Sequence, residues 1–295
     1  MIENGRATEV LWNVGVPAGI RTRVTAVKVI RPLVTYRNYQ HGWRTLAQLD
    51  TGRNPNRTLI EPTRRQLKWD DSFSSPAGAQ ERAALIETWA ALTQSFVGNA
   101  REAKLHAKAA LDLARNREVE FGAGFALALT GETARPRSLA NDLEESFPED
   151  TSVKSHYLPA VSGLVAVNKG QSAKAIELLQ AATRYELGLP RSGLNGFFGA
   201  LYAVFVRGQA YFEAGQGVEA VTAFQKILSD SEIVIGDPIG AVARLQLGRA
   251  FALSGDKTRA KAAYQDLLNL WKDADPGIAV LKQAEAEFAK VNKLQ

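Results

Sequence analysis

Five glycines, Gly98, Gly131, Gly170, Gly215 and Gly255, recur at intervals of 33, 39, 45 and 40 residues, and each carries small residues in fixed register with it. Seven positions before them stand Ala91, Gly124, Gly163, Gly208 and Gly248; five positions after stand Ala103, Pro136, Ala175, Ala220 and Ala260. A glycine between two stretches of helical apolar spacing ends one helix, and small side chains on either side let the next fold back against it. A period in this range is that of stacked helical hairpins, none of which can bury its apolar face alone. Pro136 is the exception in the small-residue register and is expected to start or kink its helix.

The stretch from Gly236 to Pro276 shows the unit at its clearest. Asp237-Pro238 predicts an N-cap followed by proline at the first helical position, where a missing N–H costs nothing. Ala241, Leu245, Gly248 and Ala252 then share one face of a first helix. Gly255-Asp256 breaks it, and Ala260, Ala263, Tyr264 and Leu267 form the apolar stripe of a second. Gly248 and Ala260 are expected where the two antiparallel helices come close. After Pro276, Ile278, Leu281, Ala284, Phe288 and Val291 make the inner face of a capping helix, with Lys282, Glu285, Glu287 and Lys290 turned away. The 45-residue spacing arises from an insertion, Gly188–Gly199, whose four glycines and one proline predict an irregular surface loop.

The alanine-rich helical texture begins near Ser72, which divides the chain into a segment 1–72 and a helical-repeat domain 73–295. Residues 1–75 hold 12 of the 36 Lys and Arg but six of the 31 acidic residues, so the net charge of +5 resides there. The rest carries 24 basic and 25 acidic residues, with no electrostatic footprint for nucleic acid. Arg21, Arg23, Arg31 and Arg37 give nucleic-acid binding as a weaker alternative function. Val24, Val27, Val29, Ile30, Leu33 and Val34 favour one or two short strands near 24–36 in an otherwise irregular, poorly structured segment. A second reading has equal weight: Gly19-Ile20-Arg21-Thr22-Arg23 can be encoded by DNA containing GGATTCGAACCCG. Its reverse complement resembles the T-arm of a transfer-RNA gene, so part of this segment reads as translated non-coding DNA.

The chain has no cysteine, which excludes disulfides, thiolate metal sites and cysteine nucleophiles and fits a reducing, cytoplasmic setting. No signal peptide and no membrane span are expected. His41, His106 and His156 lie in separate segments without metal-ligand spacing, so no metal and no cofactor is expected. Gly255-Asp256-Lys257-Thr258 looks like the end of a phosphate-binding loop, but Ala250 stands where that loop needs glycine and no strand precedes it. Glu144, Glu145, Glu149 and Asp150 surround Phe147-Pro148 at a helix end and read as a solvated cap. No catalytic constellation emerges, and the expected reading is not an enzyme.

The repeats resemble the tetratricopeptide repeat (TPR). Its glycine, aromatic and Ala-x3-aromatic pattern stands here as Gly208, Tyr211, Ala220 and Phe224, and again as Gly248, Phe251, Ala260 and Tyr264. The closing proline stands as Pro148 in the second unit and, four residues late, as Pro276. The first three units match less well, with Gln94, Leu127 and Ala166 at the early aromatic position and Ala107, Ala140 and Leu179 at the later one. The resemblance implies an all-α, TPR-like solenoid of about five helix–turn–helix repeats with a C-terminal capping helix, behind an irregular N-terminal segment. The C-terminal region is also similar to the repeat tails of bacterial eukaryotic-like serine/threonine kinases and winged-helix regulators. That similarity implies, as an alternative, a sensor or regulatory tail without its kinase domain.

In a tetratricopeptide array the first helices of the hairpins line a concave face. The positions facing inward there are Phe121, Phe125, Tyr157, Leu164, Tyr202, Phe205, Gln209, Phe212, Leu245 and Arg249. These residues are the expected groove for a protein or peptide partner, because aromatics and arginine dominate interface energies. The alternative role for Phe121, Phe125 and Phe205 is packing between neighbouring repeats. The family's two-carboxylate clamp needs several Lys, Arg and Asn on this face, and Arg249 alone is present.

Overall fold

The computed structural model describes residues 76–188, 199–234 and 237–293. The expected strands near 24–36, the irregular or non-coding character of residues 1–72, the boundary at 72/73 and the surface loop over 189–198 lie outside the described residues.

Twelve helices, with no strand among the described residues, form five hairpins and a cap. Helices α1 (Pro76–Phe96) and α2 (Ala100–Leu113) make hairpin 1; α3 (Arg117–Leu129) and α4 (Ala134–Ser146) make hairpin 2. Hairpin 3 enters through a single π turn (Val153–Tyr157) into α5 (Leu158–Asn168), then returns along α6 (Ser172–Leu179) and a tighter turn, Gln180–Tyr185. Hairpin 4 is α7 (Tyr202–Glu213) and α8 (Gly217–Ser229). A one-turn α9 (Ser231–Val234) leads to hairpin 5, α10 (Ile239–Leu253) and α11 (Lys257–Leu270), and α12 (Ala279–Lys293) ends the array.

All five register glycines stop their helices with φ between +71° and +89°, the left-handed region where a Cβ is penalised. After each, the next N–H turns back to the same carbonyl of the preceding helix. The pairs are Asn99 to Gln94, Glu132 to Leu127, Gln171 to Ala166, Gln216 to Tyr211 and Asp256 to Phe251, at 2.8–3.2 Å. This six-to-one bond satisfies a carbonyl that the helix end leaves without a partner.

The upstream glycines have a different task. A Cβ on Gly208 would stand 2.7 Å from the Phe224 ring, and one on Gly248 would stand 2.9 Å from the Tyr264 ring. At Gly163 the neighbour is Leu179, at 3.0 Å. The glycine therefore admits a large side chain from the returning helix rather than bringing two backbones together. In hairpin 1, where the position of Phe224 is taken by Ala107, Ala91 is accommodated and both are fully buried. Pro136 is the third residue of α4. It stands in the first turn of that helix, where N–H groups have no intrahelical acceptor and a proline is tolerated.

Each first helix packs on the first helix of the next hairpin, and each returning helix packs against the same neighbour, giving the solenoid stack. The array also curls onto itself. Phe96, at the end of α1, meets Tyr202 and Phe205 of α7 with ring centroids 5.4 and 5.8 Å apart, across two intervening hairpins. On the same side, the turn at Gly98 abuts the start of α12, with Ala279 Cβ 3.1 Å from where a Gly98 Cβ would be. One large apolar core results, with a small separate cluster of Ala166, Ala175 and Ala210 beside it.

The capping helix α12 buries Leu281 and Ala284 and half-buries Phe288 and Val291, as its spacing predicts. Glu287 departs from expectation: it is half-buried against α10 and α11 rather than turned to solvent. Two details of the fifth unit differ as well. Helix α10 begins at Ile239, one residue later than the Asp237-Pro238 pattern predicts, and Ala252 is exposed. Asp237 still caps, its Oδ1 accepting from the Ile239 N–H at 2.9 Å.

Candidate functional site

Seven of the ten residues expected to line a groove are interior. Phe121, Phe125, Tyr157, Leu164, Tyr202, Phe205 and Leu245 are each 2 % exposed or less. Phe121 stacks on Tyr157 at 3.9 Å with a 7° tilt between the rings, and Phe125 lies 4.6 Å from Tyr202. The concave side is thus filled by its own aromatics, and for Phe121, Phe125 and Phe205 packing is the role their burial shows. The inward-facing positions are inward as expected, but the curl that brings Phe96 onto α7 removes the open space in front of them. Gln209, Phe212 and Arg249 keep partial exposure.

Arg249 already has a partner. Its Nε and Nη2 fork onto Glu287 at 2.6–3.1 Å, and Nη2 also reaches Gln283 Oε1 at 3.1 Å. Glu287 Oε2 accepts from the Tyr264 hydroxyl at 3.0 Å. Despite burial, the Arg249 pair and the Tyr264 bond hold the Glu287 carboxyl below its ordinary pKa. Burial, helped by the Glu287 charge, pushes the Tyr264 phenol up.

Two capping aspartates link consecutive hairpins in the same way. Asp150 accepts from the Val153 N–H at 3.0 Å and pairs with Arg117 at the start of α3. Asp237 caps α10 and accepts the Tyr202 hydroxyl at 2.7 Å, from the start of α7. Their electrostatics are opposite. Although desolvation works against it, the Val153 bond and Arg117 hold Asp150 low. Among the described residues no cation faces Asp237, and burial pushes it up to about 7.

Both described histidines pack against other side chains. His106 Nδ1 sits 2.6 Å from Glu87 Oε2 between α2 and α1. His156 is buried beside Tyr185, which lowers its pKa by desolvation. Glu144 and Glu145 are exposed, while Glu149 pairs with Lys154. Asp256, in the stretch resembling a phosphate loop, caps α11 through the Arg259 N–H. Among the described residues no cluster of His, Cys, Asp and Glu can hold a metal ion, and no helix is long and apolar enough to cross a membrane.

One concavity among the described residues was not marked in the sequence. An open cleft of about 300 Å³ lies where α8, α10 and α11 meet. Leu228, Leu247 and Phe251 form its floor, and Gln225, Arg244, Arg259 and Asp266 its polar rim. Arg259 lies over the Phe251 ring at 4.6 Å, a cation–π contact. The hint available in the sequence was two arginines, Arg244 and Arg259, flanking the glycine turn of one hairpin.

Residues 242–274 match the tetratricopeptide repeat family, a span that covers nearly all of hairpin 5. No curated protein and no solved structure matches the chain.

Proposed function

We propose that this chain is a non-catalytic interaction scaffold that holds a protein partner on the outer surface of its helix array. The tetratricopeptide match over hairpin 5 supports the protein-contact role, since stacked hairpins of this kind present extended surfaces to partners. The observation that carries the location is burial: the aromatics of the concave side are consumed by the core. A partner therefore meets the second helices and hairpin edges, where the partly exposed side chains are. The cysteine-free sequence suits work in a reducing compartment such as the cytoplasm.

Affinity capture with the full chain followed by lysine cross-linking tests this reading. The expected result is a saturable partner whose cross-links fall on Lys104, Lys174, Lys226 or Lys261, all on returning helices. Recovery of no partner above a control resin, or turnover of a substrate by the purified chain, overturns it.

A further inference from the structure

We propose that the cleft between hairpins 4 and 5 is a docking site for a partner segment carrying an acidic side chain next to an apolar one. This inference rests on the scaffold reading and gives it an address. The floor, Leu228, Leu247 and Phe251, is apolar and opens to solvent between α8, α10 and α11. Its size matches one or two side chains of a peptide and lies at the bottom of the range for small-molecule pockets.

The rim supplies the charge preference. Arg244 is half-buried and spends one donor on the Gly240 carbonyl, at 2.7 Å. Among the described residues no carboxylate comes within ion-pair distance of it. Burial pulls its pKa down, with the more distant Asp266 as the opposing charge. A guanidinium held partly out of water without a carboxylate gains from an incoming one more than a solvated lysine does. Arg259 is fixed over Phe251 and tied to Asp256 through Nε at 2.5 Å. Its two Nη groups make no hydrogen bond among the described residues, so they remain able to donate to a second carboxylate. Asp256 already answers Arg259 and Asp266 stands farther from Arg244, so among the described residues Arg244 is the rim cation without a paired carboxylate. An acidic residue lies between the two arginines while its apolar neighbour covers the floor.

Fluorescence anisotropy with the full chain tests the site, using four labelled octapeptides that differ only at a central pair: Leu-Glu, Leu-Gln, Leu-Lys and Gly-Glu. Leu-Glu is expected to bind, and each of the others to bind at least about tenfold more weakly. Arg244→Gln and Arg259→Gln are each expected to cost about tenfold for Leu-Glu and little for Leu-Gln. Ala262→Trp, which fills the exposed rim beside Arg259, removes binding, and Lys282→Gln on α12 leaves it unchanged. Circular dichroism melts of every variant separate lost binding from lost fold.

Equal binding of Leu-Glu and Leu-Gln, no binding at about 1 mM peptide, or an Ala262→Trp variant that binds normally overturns the proposal. So does concentration-dependent dimerisation abolished by Ala262→Trp, which assigns the cleft to a second copy of the chain. If a cellular partner is still captured equally by Arg244→Gln and wild type, the cleft assignment fails while the scaffold reading stands. Capture of nothing by wild type removes both.

Discussion

The Tyr202 hydroxyl donates to Oδ2 of Asp237 across 2.7 Å inside the core, 35 residues along the chain, and ties the start of α7 to the start of α10. Tyr202 is fully buried and packs on Phe96, Phe121 and Phe125. One hydrogen bond thus joins the aromatic interior to the cap of the last hairpin. Among the described residues its acceptor faces no cation, and its hydrogen-bond partners there are the Tyr202 hydroxyl and the Ile239 N–H.

That isolation gives a pH dependence of definite sign. Burial raises Asp237 from 3.8 to about 7, so the folded chain holds its proton more tightly than the unfolded one. The associated stability is complete below the unfolded value and is lost as pH rises through the folded value, over the window from about 4 to about 7. Thermal melts between pH 5 and pH 8 are expected to show wild type losing stability toward the alkaline end. Asp237→Asn keeps an oxygen for Ile239 and a polar group for Tyr202, so its melting temperature varies less across the window. A variant that melts lower than wild type by the same interval at every pH excludes this origin.

The glycines opposite large side chains make a graded series. Gly208→Ala drives a Cβ to 2.7 Å of the Phe224 ring, which is fully buried and cannot retreat. The expected loss is about 1–3 kcal/mol, typical of overpacking. Gly124→Ala meets Leu139 at 3.5 Å, ordinary contact, and should cost far less. Gly208→Ala combined with Phe224→Leu is expected to recover part of the loss. Urea denaturation of the four proteins reads the order directly, and a Gly124→Ala cost equal to that of Gly208→Ala contradicts it.

How much of this was legible in the sequence depended on whether a residue answers to its neighbours along the chain or across it. The glycine turns were legible because a left-handed φ and a six-to-one bond are local demands. Burial of Ala260, Ala263, Tyr264 and Leu267 followed from helical spacing. The burial of seven of the ten expected groove residues was not legible in this way. The same inward-facing positions serve an open solenoid or a filled one, and the difference lies in how far hairpin 1 curls toward hairpin 4. Phe96 decides that through contacts more than a hundred residues away in sequence. Glu287 was misjudged for the same reason. Its helical position puts it at the edge of the apolar face, and Arg249 and Tyr264, on other helices, draw it inward.

Glu287→Gln tests what holds the cap. The substitution keeps the shape but replaces the forked pair with Arg249 by a neutral contact and weakens the acceptor for Tyr264. Both partners are partly exposed, so the expected loss is modest, about 1–2 kcal/mol. Wild type should also lose this increment as pH falls below the ordinary carboxylate range, because Glu287 is held low in the folded chain and its contribution vanishes on protonation. Amide hydrogen exchange over 279–293 is the sensitive measurement, and faster exchange in α12 than in α7 is expected. Unchanged protection of α12 removes the Arg249–Glu287 pair as its anchor.

Phe96→Ala addresses the closure itself. The ring is 3 % exposed and touches Phe125 of hairpin 2 as well as Tyr202 and Phe205 of hairpin 4. Its removal leaves a cavity at the joint between the first and fourth units, with an expected cost of about 3–5 kcal/mol. The location of the damage matters more than its size. If the curl depends on this joint, protection from exchange falls in both α1 and α7 while α11, which Phe96 does not touch, keeps its own. Small-angle scattering should also report a larger radius of gyration, as hairpin 1 swings away from hairpin 4. Phe224→Ala removes a ring of the same kind from within hairpin 4, and it is expected to lower stability without expanding the chain. Equal expansion in the two variants shows that general loosening, and not the Phe96 contact, governs closure.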